Sequence, residues 1–79
     1  MEIYIKAGWK LRRLLQPDVD YDTRRVEVAE GETVKEILRT LDIDPSEVAF
    51  IFVDDQIKNL SYKPTAGQML TLQPPAIGG

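Results

Sequence analysis

The sequence predicts an α+β domain in which one helix packs on one face of a four-stranded mixed sheet. Strand-like alternation of apolar and polar residues occurs near both ends of the chain, and one amphipathic helix lies between these segments. A run of six consecutive apolar residues follows the helix. At 79 residues the chain has the length of one small domain, in which these apolar surfaces must be buried against each other.

The first half of the chain contains two predicted strands and a short amphipathic stretch. The first strand covers residues 1–7, with Ile3 and Ile5 on its buried face. Residues 9–15 are compact and amphipathic, and we interpret them as a short helical turn. A second strand is predicted at about residues 23–28.

The helix is predicted over about residues 34–41. Thr33 is a favourable N-cap residue, and Glu36 three positions later completes a capping box. The apolar residues that follow have the spacing of one buried stripe, and they are Val34, Ile37, Leu38 and Leu41.

Residues 48–53 form the apolar run, and two explanations are open for it. A strand with one buried face needs an apolar residue only at every second position, so this strand is apolar on both faces. Its second face is either covered by a loop or forms a surface that binds a partner. Asp54 and Asp55 make the following turn, and the last strand comprises residues 69–72.

The resulting order is strand, strand, helix, strand, strand, which is a β-grasp arrangement with the first and last strands adjacent at its centre. We expect residues 1–74 to form the domain and residues 75–79 to form a flexible tail.

The composition excludes several kinds of chemistry. The chain has no cysteine and no histidine, which removes thiolate nucleophiles and the usual zinc sites. Its net charge of −3 gives no general reason to bind nucleic acid or an anionic membrane, and a cytoplasmic location is expected by default. Four arginines could form a small basic patch, although scattered solvated positions are favoured: Arg12, Arg13, Arg24 and Arg25.

The carboxyl-terminal tail carries the strongest functional signal. The chain ends Pro-Pro-Ala-Ile-Gly-Gly directly after the last predicted strand. Two prolines favour an extended stalk, and terminal glycines contribute nothing to a core. Such an end can bring its carboxylate into a narrow active site in which any Cβ would clash. The predicted site is therefore Gly79 as the reactive carboxylate, with tail insertion through Pro75, Ala76, Ile77 and Gly78.

The chain resembles the ubiquitin-like sulfur carriers, which include the small subunit of molybdopterin synthase and the thiamine-biosynthesis carrier. The resemblance covers essentially the whole chain and is carried by residues 26–34, by residues 47–55 and, most specifically, by the ending at 72–79. Residues 11–15 before a proline are more similar to the molybdopterin branch. The chain departs from the family pattern at Asp54-Asp55, at Ala66-Gly67-Gln68 and at Gln73, and the last departure affects which partner is recognised.

The resemblance implies a protein cosubstrate with no catalytic residues and no bound metal or cofactor of its own. A ubiquitin-activating-type enzyme would adenylate Gly79 with ATP and magnesium, and a sulfur donor would convert the adenylate into a thiocarboxylate. The sulfur acceptor would be the large subunit of molybdopterin synthase or thiazole synthase. Two alternatives stay open: a ubiquitin-like protein modifier conjugated through Gly79, and a β-grasp interaction module.

Overall fold

The computed structural model describes residues 1–75, except for the side chain of Trp9. Its elements in chain order are β1 (Glu2–Ala7), α1 (Trp9–Leu15), β2 (Thr23–Glu27), α2 (Val34–Thr40), a 3₁₀ turn (Pro45–Glu47), β3 (Phe50–Val53), β4 (Gln56–Lys58) and β5 (Met69–Gln73).

The strands form one mixed sheet in the order β2-β1-β5-β3-β4. The first and last strands, β1 and β5, pair in parallel at its centre, and the other pairs are antiparallel. The predicted β-grasp class is confirmed. The sheet has five strands rather than the four predicted, because Ile57 pairs with Phe52 and makes β4 a short edge strand. Three residues are too few for an alternation to be recognised in the sequence.

Helix α2 begins where the capping box predicts. The Glu36 backbone N–H donates to Thr33 Oγ1 at 3.3 Å, and the Thr33 N–H donates to Glu36 Oε1 at 3.0 Å. The helix ends at Thr40, one residue before the predicted end, with Leu41 as its C-cap. Asp42 then adopts a left-handed φ of 60°, which turns the chain out of the helix.

The amphipathic stretch before β2 is a helix of 7 residues, α1, rather than a single turn. Leu11 and Leu15, four positions apart, lie on its buried side. The helix ends because Gln16 adopts a left-handed φ of 56° and its N–H bonds to the Arg12 carbonyl.

Both helices and the sheet contribute to one core. Its fully buried side chains come from every layer, and the largest are Ile3, Ile5, Leu11, Leu15, Ile37, Leu38, Ile43 and Leu70. The core lies on one face of the sheet. On the central strands, the residues between the buried ones therefore point to the other face, which we call the outer face of the sheet. Within residues 1–75, no helix has the length and apolar character needed to cross a membrane.

The turn before β5 forms although it departs from the family pattern. Gly67 adopts a φ of +82°, a conformation that favours glycine. The side-chain oxygen of Gln68 accepts hydrogen bonds from the Thr65 N–H at 2.9 Å and from the Tyr62 hydroxyl at 2.8 Å. The Gln68 side chain thus closes this turn and ties it to the segment that crosses from β4.

Candidate functional site at the base of the tail

The predicted tail begins at the end of a central strand. Strand β5 lies between β1 and β3, and its last residue, Gln73, accepts a hydrogen bond from the Ala49 N–H at 2.8 Å. Pro74 has no N–H to continue the ladder, so the strand ends there. Pro74 is half-buried and Pro75 is exposed, while the other predicted site residues, Ala76, Ile77, Gly78 and Gly79, lie outside the described residues.

The outer face of the sheet carries an apolar patch next to this point. Register places Tyr4 opposite Met69, and Phe52 opposite both Thr71 and Ile57. The patch, called here the outer-face patch, consists of Tyr4, Phe50, Phe52, Ile57 and Met69. Three of its side chains are substantially exposed: Phe50 by 47%, Ile57 by 63% and Met69 by 41%.

These exposures bear on the apolar run at 48–53. Ile51 and Val53 are buried, but Phe50 lies on the outer face with nearly half of its side chain accessible. The rings of Phe50 and Phe52 lie 6.3 Å apart, so they form one continuous apolar surface. Within residues 1–75 no loop covers the Phe50 side chain, so the explanation by loop cover does not hold at this position, and a partner-binding surface stays a prediction.

A groove of about 1010 Å³ lies between the start of α1 and the end of β5. We call it the tail-base groove, because Pro74 and Pro75 form part of its wall. Its apolar lining also includes Ala7, Phe52 and Leu72. Its ionisable side chains are Lys6, Lys10, Arg12, Arg13 and Asp22.

The carboxylate in the groove is held in place by β1 and β2. Asp22 is largely buried, and its Oδ1 accepts a hydrogen bond from the Thr23 hydroxyl at 3.0 Å. Its Oδ2 lies 3.8 Å from Lys6 Nζ, a loose ion pair. The groove therefore keeps an excess of positive charge.

The four arginines considered for a basic patch, Arg12, Arg13, Arg24 and Arg25, do not all come together. Arg24 donates through Nη1 to the Leu15 carbonyl at 3.0 Å, and Arg25 Nε lies 3.6 Å from Glu2 Oε2. Only Arg12 and Arg13 reach the tail-base groove, where Lys6 and Lys10 join them. The sequence does not reveal this cluster, because only the fold places Lys6 on β1 in the same groove as the cations of α1.

Among the side chains of residues 1–75, three carboxylates have lowered pKa values, and all three belong to turns or caps. The pKa of Glu36 is lowered by hydrogen bonds from the Thr33 backbone and hydroxyl. A hydrogen bond from the Asp22 backbone N–H lowers the pKa of Asp20. A hydrogen bond from the Ser46 backbone N–H lowers the pKa of Asp44 in the same way. None of these three residues lines the tail-base groove. Within residues 1–75, no three side chains of the metal-ligating types come together as a metal site.

Comparison with known families gives a match over nearly the whole chain. The model of the Mut7-C ubiquitin family matches residues 1–76. The chain belongs to the Mut7-C ubiquitin family. A comparison with curated protein sequences gives no match.

Solved structures of ubiquitin-like proteins share the fold. SAMP1 from Haloferax volcanii is 20% identical over 100% of both chains, with a TM-score of 0.72. The H. volcanii small archaeal modifier protein 1 structure is 22% identical over 95% of this chain and 98% of that one, with a TM-score of 0.72. The putative molybdopterin converting factor subunit 1 from Pyrococcus furiosus is 17% identical over 95% and 98%, with a TM-score of 0.71. The predicted resemblance to ubiquitin-like proteins is confirmed.

Proposed function

We propose that this protein is a sulfur carrier whose terminal Gly79 is adenylated by a partner enzyme and then converted to a thiocarboxylate. The observation that carries the proposal is the exit of the chain from the central strand β5 through Pro74 and Pro75, beside an exposed apolar surface, toward a Gly-Gly end. Support also comes from a structural neighbour whose name is a molybdopterin converting factor subunit.

The proposed reaction has two steps. A carboxylate oxygen of Gly79 attacks the α-phosphorus of ATP, which is bound with magnesium by the partner, and pyrophosphate leaves. Sulfide (HS⁻) released by a sulfur donor then attacks the activated carbonyl carbon, displaces AMP and loses its proton, which leaves a C-terminal thiocarboxylate. The carrier contributes position and accessibility, because the carboxylate must come within roughly 3–3.5 Å of the phosphorus.

The proposed acceptor is an enzyme of cofactor biosynthesis. The large subunit of molybdopterin synthase, or its counterpart in tungstopterin synthesis, is proposed first, and thiazole synthase second. The outer-face patch offers one surface that can dock on the adenylating enzyme and on the acceptor in turn, because both must receive the same tail.

A second candidate is a protein modifier that forms an isopeptide bond through Gly79. The structural neighbour named a small archaeal modifier protein supports it. Both functions begin with the same adenylate and differ in the nucleophile, which is sulfur for the carrier and a target lysine for the modifier.

The test is ATP–pyrophosphate exchange with adenylating enzymes from the same cell. The native chain should support exchange, and a chain with one residue appended after Gly79 should not, because the terminus moves by about 3.3–3.6 Å. Exchange that is equally fast with the extended chain contradicts the proposal.

Intact mass spectrometry of protein purified from its native cell separates the carrier from the modifier. Replacement of one terminal oxygen by sulfur adds about 16 mass units, from the difference between the two elements, whereas conjugation adds the mass of a target protein. A deletion of Gly79 tests the interaction module, since a module keeps its function without that residue.

A further inference from the structure

The tail-base groove combines a surplus of positive charge with an apolar lining. We propose that it binds an acidic segment of the adenylating partner that also carries an apolar side chain. This inference rests on the proposed function, because it assumes an adenylating partner. It states which chemical groups of that partner contact the tail-base groove when the tail enters the partner's active site.

The charge of the groove is opposite to that of the rest of the chain. Its four basic side chains and one carboxylate give a net charge of +3, whereas the chain as a whole carries −3. The remaining surface therefore carries −6. Such an asymmetric distribution attracts an acidic partner at one place and repels it elsewhere, so it selects the docking orientation.

The cations of α1 have no charged partner within the part of the chain that the structure describes. No carboxylate of residues 1–75 lies within 4.0 Å of the charged groups of Lys10, Arg12 or Arg13, and Lys6 has only its 3.8 Å contact with Asp22. All three α1 side chains are exposed. Three like charges on a helix of 7 residues repel each other, so a bound carboxylate relieves an unfavourable interaction.

The lining of the groove favours a peptide over a simple anion. Phe52 belongs both to the groove and to the outer-face patch, so the apolar surface continues from the sheet to Pro74 and Pro75. An apolar side chain in the bound segment can pack on this lining while neighbouring carboxylates reach the cations.

The same distribution disfavours a nucleic acid. An extended strand with one phosphate per nucleotide would run beyond the groove onto a surface that carries −6, where each further phosphate is repelled. A short acidic segment places its charges inside the groove only.

The experiment compares two variants with the same change in net charge. The groove variant is Lys10→Gln/Arg12→Gln/Arg13→Gln. The control is Lys35→Gln/Arg39→Gln/Lys63→Gln, whose side chains are exposed and lie outside the groove. A cooperative thermal unfolding transition and a native-like ¹H–¹⁵N spectrum for both variants establish that the fold is intact.

The first measurement is a titration of the ¹⁵N-labelled full chain with a short synthetic peptide of alternating glutamate and leucine. We expect shifts at the amides of Gly8, Lys10 and Thr71, with affinity about tenfold lower in the groove variant and unchanged in the control. The affinity should also fall between about 0.05 and 0.5 M salt, since screening weakens exposed charge interactions. Absence of groove shifts, or stronger binding of an oligothymidylate at the same amides, overturns the inference.

The second measurement is ATP–pyrophosphate exchange with the adenylating enzyme. The groove variant should raise the KM for the carrier about tenfold, leave kcat at saturation unchanged and reduce the dependence of KM on salt. If the KM for the groove variant equals the KM for the native chain, the inference is overturned while the carrier function stands. Failure of the native chain to support exchange instead contradicts the proposed function, and the peptide titration still decides the chemistry of the groove.

Discussion

Phe50 lies directly opposite Gln73 across the antiparallel pair of β3 and β5. Pro74 follows Gln73 directly, so the more exposed of the two rings on β3 lies beside the residues that lead into the tail. Phe50 and Gln73 belong to neighbouring strands of the same sheet. A partner surface that contacts Phe50 is therefore held at a fixed distance from the end of β5, where the chain leads into the tail.

A charge at Phe50 should weaken partner binding without unfolding the domain. Phe50→Glu places a carboxylate in the outer-face patch, where it must be desolvated when a partner docks, but the side chain is already 47% exposed in the free protein. We expect at least a tenfold loss of affinity for the adenylating enzyme, measured by calorimetry, with an unchanged thermal midpoint.

Val19→Glu provides the matched control for this prediction. Val19 is 53% exposed and lies in the loop before β2, an edge strand that is separated from β3 by β1 and β5. The same added charge there should leave binding unchanged. Equal affinity in the Phe50 variant and the control would mean that the outer-face patch is not the docking surface.

Truncation of Leu38 tests the core. Leu38 is fully buried on α2, so Leu38→Ala should lower the free energy of unfolding by roughly 2–5 kcal/mol. Leu14→Ala on α1 serves as the control, because Leu14 is 41% exposed and its truncation should cost less than about 1 kcal/mol. Urea unfolding measures both values, and a loss below half a kilocalorie for Leu38→Ala would show that α2 is not packed on the sheet.

The turn between β3 and β4 should be improved by glycine. Asp54 and Asp55 adopt φ values of 52° and 64°, and two-residue hairpin turns with this backbone prefer Asn-Gly. Asp55→Gly should therefore raise the free energy of unfolding by about 0.5–1 kcal/mol, because it removes left-handed strain and one of two adjacent carboxylates. Gly67→Ala, at φ +82°, should act in the opposite direction, and a decrease for Asp55→Gly would contradict the strain argument.

The capping box should make stability depend on pH below neutrality. Hydrogen bonds from Thr33 lower the folded pKa of Glu36 below its ordinary value of 4.5. The ionised side chain therefore adds stability that is fully present above the unfolded pKa and is lost as the pH falls through the folded pKa. Urea unfolding of the native chain and of Glu36→Gln from pH 7 to pH 3 should give a difference that shrinks below about pH 4.5; a difference independent of pH would assign the effect to packing.

Gly78→Ala should separate binding from adenylation. Under the proposed function, a Cβ at Gly78 enlarges the tail where it enters the active site of the partner, and we expect the domain of residues 1–74 to keep its stability. We expect the pyrophosphate exchange rate at saturation to fall much more than the affinity for the adenylating enzyme. Ala76→Gly, which removes a Cβ nearby, is the control and should retain exchange; a normal rate for Gly78→Ala would mean that the site tolerates side chains.

Several features could be predicted from the sequence because short-range physics determines them. The start of α2 follows from Thr33 and Glu36, whose side chains and backbones lie within one helical turn of each other. The buried faces of β1 and β5 follow from period-two alternation. The end of β5 follows from Pro74, which cannot donate to a ladder.

The tertiary structure decided which of these surfaces meet. Strand β4 exists because Ile57 pairs with Phe52. The strand is too short for its sequence to show the alternation that would predict this pairing. The basic groove exists because Lys6 on β1 comes beside Arg12 and Arg13 on α1 next to the tail, whereas charge counted along the chain suggested only scattered arginines. Local propensity depends on neighbours in sequence, but the charge and shape of a surface depend on distances that only packing sets.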